Sequence, residues 1–289
     1  MSKNKLIGLE LDLNNLVYLF NNNRLPKKII LSGKKGIGKS LLARNFLYKI
    51  FKDERTKNLI DKEMHTNVLN IKKNNDKKFI EIDQIREIVK FMNKSSFDNK
   101  SRFIVIDDTE FLNINSSNAL LKSLEEPNHN VYFFLIYNSD KKILDTIKSR
   151  CVEIKINLKH ENVKIIVNNY FDENIYDRIN YSLINFYTTP DFIISLIIYL
   201  KENNLNISET NINELIKNIL NNKHYNKHTF TNQYLNYIIE LFFYNNINIT
   251  KNLSYKLKKY YYSKLSNINK FNLDYESFFL EFKDDLLSE

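Results

Sequence analysis

Cysteine, tryptophan, glycine and proline are all scarce in this sequence: its 289 residues include one cysteine, no tryptophan, four glycines and three prolines. The single cysteine, Cys151, excludes an internal disulfide and a cysteine-rich zinc module. A membrane-spanning helix needs roughly 20 consecutive apolar residues, and no run in the sequence approaches that length. The N-terminal apolar run is too short and too polar for a signal peptide. We therefore expect a cytoplasmic protein with no zinc and no membrane contact.

The composition is that of a globular, basic protein. Hydrophobic residues make up 43% of the chain and charged residues 27%, a balance that permits a packed core. The formal net charge of +9 favours nucleic acid or other anionic partners through long-range attraction. However, no block of lysine and arginine with interleaved aromatic residues stands out. Charge alone therefore identifies no nucleic-acid site, and direct contact with DNA stays open.

Three of the four glycines fall within one segment, Gly33–Ser40, with the sequence GKKGIGKS. It matches the phosphate-loop pattern G-x-x-x-x-G-K-[ST], with strand-like sequence before it and helix-like sequence after it. Glycine lets successive backbone N–H groups turn towards phosphate oxygens, and the helix N-terminus adds partial positive charge. In this pattern Lys39 reaches the β- and γ-phosphates, and the Ser40 hydroxyl binds Mg²⁺. The predicted nucleotide-binding residues of the loop are Gly33, Lys34, Lys35, Gly36, Ile37, Gly38, Lys39, Ser40 and Leu41.

The segment FIVIDD ends a strand-like run in two aspartates, Asp107 and Asp108. An acid at the end of a buried strand behind a phosphate loop typically holds Mg²⁺, so we predict that Asp107 and Ser40 share this ion. A hydrolytic ATPase of this type carries glutamate at the next position to orient the attacking water. Asp108 is one methylene shorter, and misplacement on that scale costs about 10²-fold in rate. The sequence therefore predicts nucleotide binding with weak turnover.

Strand-like and helix-like segments alternate along residues 1–156. This alternation predicts an α/β P-loop domain with a parallel sheet covered by helices on both sides. From about residue 157 the strand signal disappears, so residues 157–204 form a predicted small three-helix domain and residues 205–289 a predicted all-α domain. The three helices of the middle domain are predicted at 161–171, 178–187 and 190–203.

Further motifs follow in a fixed order. Asn138 follows the strand-like segment VYFFLIY, and the tripeptide SRC places Arg150 twelve positions later. The pieces D-Q-I-R at 83–86 and N-A-L-L-K-S-L-E-E-P at 118–127 lie between the phosphate loop and this tripeptide. The ordered set resembles the AAA+ clamp-loader family, in particular the delta-prime branch of the bacterial DNA polymerase III clamp loader. The resemblance covers roughly residues 6–200.

The resemblance implies a role for each matched residue. Asn138 is then a nucleotide-contacting residue, and Arg150 an arginine finger presented to the nucleotide of a neighbouring subunit. The family implies ATP or ADP with Mg²⁺ as cofactor. It also implies an AAA+ domain, a helical lid at 157–204 and a helical collar at 205–289. The implied partners are the motor (gamma/tau) and delta subunits, and, through the complex, the sliding clamp and primer-template DNA.

Several features depart from the family pattern. The usual four-cysteine zinc module is absent, and Phe192 stands where the lid would carry a second nucleotide-sensing arginine. Phe192 and Asp108 together predict a non-catalytic or weak ATPase subunit that supports clamp loading in the DNA polymerase III holoenzyme. The chain is also short for the motor subunit. Two alternatives stay open: an autonomous AAA+ ATPase (the motor subunit, or a helicase or initiator loader) and a P-loop protein of unrelated chemistry.

Overall fold

The computed structural model describes residues 5–74, 77–93, 101–125, 130–225, 228–246, 251–271 and 273–286. The chain forms two compact units, Met1–Val163 and Lys164–Glu289. The predicted three-domain division, with boundaries after residues 156 and 204, stays a prediction. Within the described ranges, no helix is long and apolar enough to cross a membrane.

The first unit is built on a five-stranded sheet in the order β2-β3-β4-β1-β5, in which all neighbouring strands are parallel. Parallel neighbours require crossover connections, which the intervening helices supply. The sheet and the helices around it confirm the predicted fold class. The strands are β1 (Lys28–Gly33), β2 (Val68–Ile71), β3 (Arg102–Ile106), β4 (Val131–Asn138) and β5 (Val152–Lys155).

The sheet is covered on both faces because alternate residues of each strand point to opposite sides. Ile29 and Leu31 of β1 belong to one core cluster, whereas Ile30 between them belongs to the other. The first cluster includes buried residues of α1, α2 and α3, and the second includes those of α4, α5 and α6. These helices are α1 (Glu10–Asn21), α2 (Lys39–Phe51), α3 (Glu54–Asp61), α4 (Ile82–Asn93), α5 (Ile114–Glu125) and α6 (Asp145–Lys148).

Helix α7 (His160–Phe171) runs across the boundary between the two units, and the described part of the second unit is helical. Its buried side chains are mostly aliphatic and aromatic, among them Tyr199, Phe242 and Phe282. The helical C-terminal region agrees with the predicted fold class. Its helices are α8 (Pro190–Glu202), α9 (Ile212–Asn221), α10 (Thr229–Asn245), α11 (Lys251–Phe271) and α12 (Glu276–Leu286).

The predicted helix at 178–187 is wrong. This segment contains two short 3₁₀ turns, Tyr176–Arg178 and Tyr181–Leu183, instead. The side chain of Asn180 accepts a hydrogen bond from the backbone N–H of Ser182, and Asn185 binds the N–H of Tyr187 in the same way. Asparagine side chains that bind nearby backbone N–H groups compete with helical hydrogen bonds. The other two helices predicted in 157–204 are present as α7 and α8.

Candidate functional site

The candidate site lies at the carboxyl ends of three neighbouring strands. The phosphate loop follows β1, Asp107 follows β3, and Asn138 ends β4. β1 and β4 pair so that Gly33 is opposite Asn138. In open α/β sheets, ligands bind in the crevice beyond the carboxyl ends of the strands. The fold therefore brings together the loop, the acid and the amide that the sequence assigned to one site.

The glycines of the loop are required by its backbone. A Cβ atom on Gly33 would lie 2.5 Å from the carbonyl oxygen of Ile156, a backbone atom that cannot move aside cheaply. Gly38 precedes α2 with a φ of 99°, a conformation that side chains rarely adopt. Ile37 lies between them, is buried and belongs to the first core cluster, so its side chain anchors the loop to the core. Gly33 and Gly38 therefore fix the conformation of the loop that leads into α2. Lys34, Lys35, Gly36, Ser40 and Leu41 are partly exposed along the same segment.

Lys39 is the central cation of the site. It is only 6% exposed, and its Nζ atom donates hydrogen bonds of 2.7 Å to the carbonyl oxygens of Gly33 and Lys34. Burial lowers the pKa of Lys39 to about 8, against nearby carboxylates that raise it, of which Glu110 has the largest effect. The ammonium is therefore held across the loop, where an anion would compensate the cost of burying its charge.

Ser40 and Asp107 are joined directly. The Ser40 hydroxyl donates a 2.6 Å hydrogen bond to Oδ2 of Asp107, and Asp107 Oδ1 accepts one from the N–H of Asp108. Burial raises the pKa of Asp107, whereas the bond from Ser40 lowers it. A cavity of about 230 Å³ opens beside this pair. It is lined by Ser40, Arg44, Leu47, Ile60, Asp61, Glu63, Asn70, Ile71, Lys72, Val105, Asp107 and Ile136.

The Ser40–Asp107 pair fits Mg²⁺ chemically. A hydroxyl and a carboxylate are hard oxygen ligands, and Mg²⁺ in nucleotide sites takes one or two such ligands while keeping waters and binding phosphate oxygens. The neighbouring cavity has room for several water molecules. Among the residues that the structure describes, no group of three or more His, Cys, Asp and Glu side chains could hold a metal ion. Mg²⁺ at this pair would therefore depend on the nucleotide for further ligands.

Asp108 does not continue the direction of β3. Its backbone is left-handed, with φ 57° and ψ 41°, and it precedes a 3₁₀ turn at Thr109–Phe111. Aspartate is among the residues that tolerate this conformation best. The turn brings the side chain of Glu110 back to the site, where Oε2 accepts a 3.1 Å hydrogen bond from the N–H of Asn138. The Oδ1 atom of Asn138 accepts one of the same length from the N–H of Asp140.

Glu110 is the residue of this site that sequence reasoning missed. The motif that identifies the Mg²⁺-binding acid considers only Asp107 and the position after it. Glu110 lies three positions beyond Asp107, and only the left-handed turn at Asp108 makes it part of the site. An acidic residue three positions after Asp107 was therefore the one signal available in the sequence.

The described contacts of Arg150 and Phe192 are with residues outside the phosphate loop and its acidic partners. Arg150 is exposed near the end of α6, with Nη2 and Nε 2.6 and 2.8 Å from Oε1 of Glu125 and Nη1 3.0 Å from the carbonyl oxygen of Thr146. Phe192 is buried in the second unit, and its ring contacts those of Phe230, Tyr234 and Tyr237. It belongs to the packed core of α8 and α10. Within the N-A-L-L-K-S-L-E-E-P motif, Glu126 and Pro127 lie outside the described residues.

Comparison with known proteins identifies the family of this chain. Residues 10–160, just over half of its 289 residues, match the family described as DNA polymerase III, delta subunit. The chain belongs to this family. The matched segment contains the phosphate loop, Asp107, Asn138 and Arg150. The resemblance to a delta-prime-like clamp-loader subunit is thereby confirmed.

Individual relatives include delta′ and gamma subunits of DNA polymerase III. The chain is 30% identical over 134 residues to DNA polymerase III subunit delta′ of Pseudomonas aeruginosa, which covers 43% of this chain and 41% of the relative. It is 31% identical over 165 residues to DNA polymerase III subunit gamma of Buchnera aphidicola, covering 54% and 45%. The chain thus spans less than half the length of these relatives. Both relatives support membership of the clamp-loader family.

Among solved structures, a DNA polymerase III gamma subunit-related protein of Thermotoga maritima is 20% identical. The match covers 72% of this chain and 62% of that protein, with a TM-score of 0.46. A similarity at this level carries no argument about function. The fold class rests instead on the parallel order β2-β3-β4-β1-β5 and on the loop that follows β1.

Proposed function

We propose that this chain is a delta-prime-like subunit of the DNA polymerase III clamp loader, which holds a nucleotide and supports ATP-dependent loading of the sliding clamp onto primed DNA. Its partners are then the motor (gamma/tau) and delta subunits, with the clamp and primer-template DNA reached through the complex. The observation that carries the nucleotide-holding part is the direct contact of Ser40 with Asp107 beside the buried Lys39. This arrangement offers a cation and two Mg²⁺ ligands at one helix N-terminus.

The residues of the loop would bind and orient the phosphates. Lys39 would exchange its bonds to the carbonyl oxygens of Gly33 and Lys34 for phosphate oxygens. Ser40 and Asp107 would hold Mg²⁺, which neutralises phosphate charge when it is bound. Asn138 would offer its side-chain amide N–H group at the end of β4, because its Oδ1 atom is already bound by Asp140. The short side chain at position 108 supports a site that holds nucleotide and turns it over weakly.

The chemical contribution of Arg150 would go to a neighbouring subunit. Its guanidinium is exposed, and its ion-pair partner Glu125 is exposed as well. An exposed ion pair contributes about 0–1 kcal/mol, so little stabilisation opposes a change of partner. A guanidinium that reaches the γ-phosphate of another subunit increases the rate of phosphoryl transfer about 10³- to 10⁵-fold.

A second candidate function is an autonomous ATPase of the same family. The similarity to gamma subunits, at 31% identity for the one from Buchnera aphidicola, favours it. The intact cradle formed by Lys39, Ser40 and Asp107 also fits a site that hydrolyses its own nucleotide. The two candidates differ in whether the working site is the loop of this chain or that of its neighbour.

ATP hydrolysis by the purified chain distinguishes them, measured alone and then with the motor and delta subunits, the clamp and primed DNA. As a delta-prime-like subunit, the isolated chain should hydrolyse ATP negligibly. Arg150→Ala should then reduce turnover by the complex far more than Lys39→Ala. Substantial turnover by the isolated chain, or the opposite ranking of the two variants, would identify its own loop as the working site.

A further inference from the structure

Glu110 holds a fixed position at the edge of the phosphate site. It lies in the 3₁₀ turn after Asp108, is only partly exposed, and accepts a 3.1 Å hydrogen bond from the backbone N–H of Asn138. Asn138 in turn pairs with Gly33, the first residue of the phosphate loop. The carboxylate of Glu110 is therefore tied to the strand end that faces the loop.

Acidic side chains act on Lys39, and Lys141 in turn acts on one of them, Glu110. Four carboxylates act on the buried ammonium, in the order Glu110, Asp107, Asp140 and Asp108. Asp107 is already bound to Ser40. Asp140 is exposed to solvent in the turn after β4, which screens its charge. Glu110 combines the largest effect on Lys39 with a fixed, partly buried carboxylate. It is the acid best placed to influence a ligand of Lys39.

A γ-phosphate adds negative charge at this end of the site. Lysine of a phosphate loop reaches the β- and γ-phosphates, so a triphosphate brings more charge towards Lys39 and its carboxylates than a diphosphate does. The backbone N–H groups of the loop serve both nucleotides, so they contribute less to the difference between them. Like charges in a partly buried site repel strongly because the effective dielectric constant is well below that of water.

We infer that Glu110 is a specificity-determining residue whose carboxylate disfavours the γ-phosphate, so that the loop holds a nucleoside diphosphate in preference to a triphosphate. This inference rests on the proposed nucleotide-holding function and deepens it. The subunit then keeps its own loop in the diphosphate state through the loading cycle. The neighbour's triphosphate, reached by Arg150, is the one that changes.

The test compares the affinity for ADP with that for an ATP analogue carrying a β,γ-imido bridge, both with Mg²⁺, by isothermal titration calorimetry. Glu110→Gln removes the charge and retains an oxygen that can accept the bond from Asn138. Asp140→Asn is the matched control, because it also removes a negative charge that acts on Lys39 but lies in an exposed turn. Glu110→Ala serves as a second variant, and thermal melts verify that each protein is folded.

The wild-type chain should bind ADP at least about tenfold more tightly than the analogue, and Glu110→Gln should remove most of that preference. Asp140→Asn should alter it much less. The inference is wrong if wild type and both Glu110 variants have the same ratio of ADP affinity to analogue affinity. It is also wrong if Asp140→Asn changes this ratio as much as Glu110→Gln does. In either case the nucleotide-holding function stands. If neither the wild-type chain nor any folded variant binds either nucleotide, both the inference and the nucleotide-holding function are wrong.

Discussion

The guanidinium of Arg150 is held by a single carboxylate oxygen, Oε1 of Glu125, which lies 2.6 Å from Nη2 and 2.8 Å from Nε. The two residues are separated by 25 positions and bring together the ends of α5 and α6. An arginine that acts on a neighbouring subunit must exchange this partner for phosphate. Glu125 therefore acts as an internal competitor for the proposed arginine finger.

Removing this competitor should increase turnover by the assembled complex. Glu125→Gln should raise the ATPase rate by up to about fivefold, because an exposed ion pair contributes no more than about 1 kcal/mol. The measurement is steady-state ATP hydrolysis by the reconstituted complex. Glu54→Gln, which breaks the exposed pair with Lys57, is the control and should have no effect. If Glu125→Gln alters the rate equally in an Arg150→Ala background, the pair is not the cause.

Replacement of Lys39 should weaken nucleotide binding. Lys39→Ala removes the buried ammonium and its charge-assisted hydrogen bonds, each of which contributes about 1.5–3 kcal/mol, so affinity for ADP should fall about 10- to 100-fold or more. Calorimetric titration with Mg²⁺–ADP measures this change. Lys49→Ala, at an exposed position near the end of the same helix, should bind ADP as wild type does. Equal loss in both variants would point to general electrostatics and against a specific role of Lys39.

Binding of nucleotide should depend on pH through Lys39. Burial lowers its pKa to about 8, so the free protein loses this proton as the pH rises through about 8. A bound phosphate stabilises the charged form and raises the pKa, which means that binding takes up a proton and weakens above about pH 8, by up to about tenfold per pH unit. Titrations in two buffers of different ionisation enthalpy measure the uptake. The uptake should disappear in Lys39→Ala, and its persistence there would assign it to another group.

Asp107 should control the response to Mg²⁺. Asp107→Asn removes the carboxylate that Ser40 binds, so added Mg²⁺ should improve affinity for ADP much less than it does in wild type. Comparison of titrations with Mg²⁺ and with EDTA measures this response. Asp83→Asn, which alters an exposed acid of α4, should retain the full response. An unchanged Mg²⁺ dependence in Asp107→Asn would mean that residues other than Asp107 bind the ion.

The parts of the site that are local in sequence were predictable from it. The phosphate loop at Gly33–Ser40 and the acid at Asp107 follow from short patterns whose backbone requirements are contained in adjacent residues. Strands β1, β3 and β4 were also predictable, since each is a continuous apolar run of the kind buried on both faces of a sheet. By contrast, the apolar spacing of 178–187 suggested a helix, and Asn180 and Asn185 formed turns instead.

By itself, the sequence predicted the phosphate loop, the candidate acid for Mg²⁺ and the α/β class, because each depends on neighbouring residues and their backbone preferences. Only the tertiary structure decided that Glu110 reaches Asn138 and that Glu125 holds Arg150, contacts that join residues 28 and 25 positions apart. The burial of Lys39, with its hydrogen bonds to the carbonyl oxygens of Gly33 and Lys34, was decided in the same way. Such contacts depend on how strands and helices pack, and no local pattern records which distant side chains the packing will bring together.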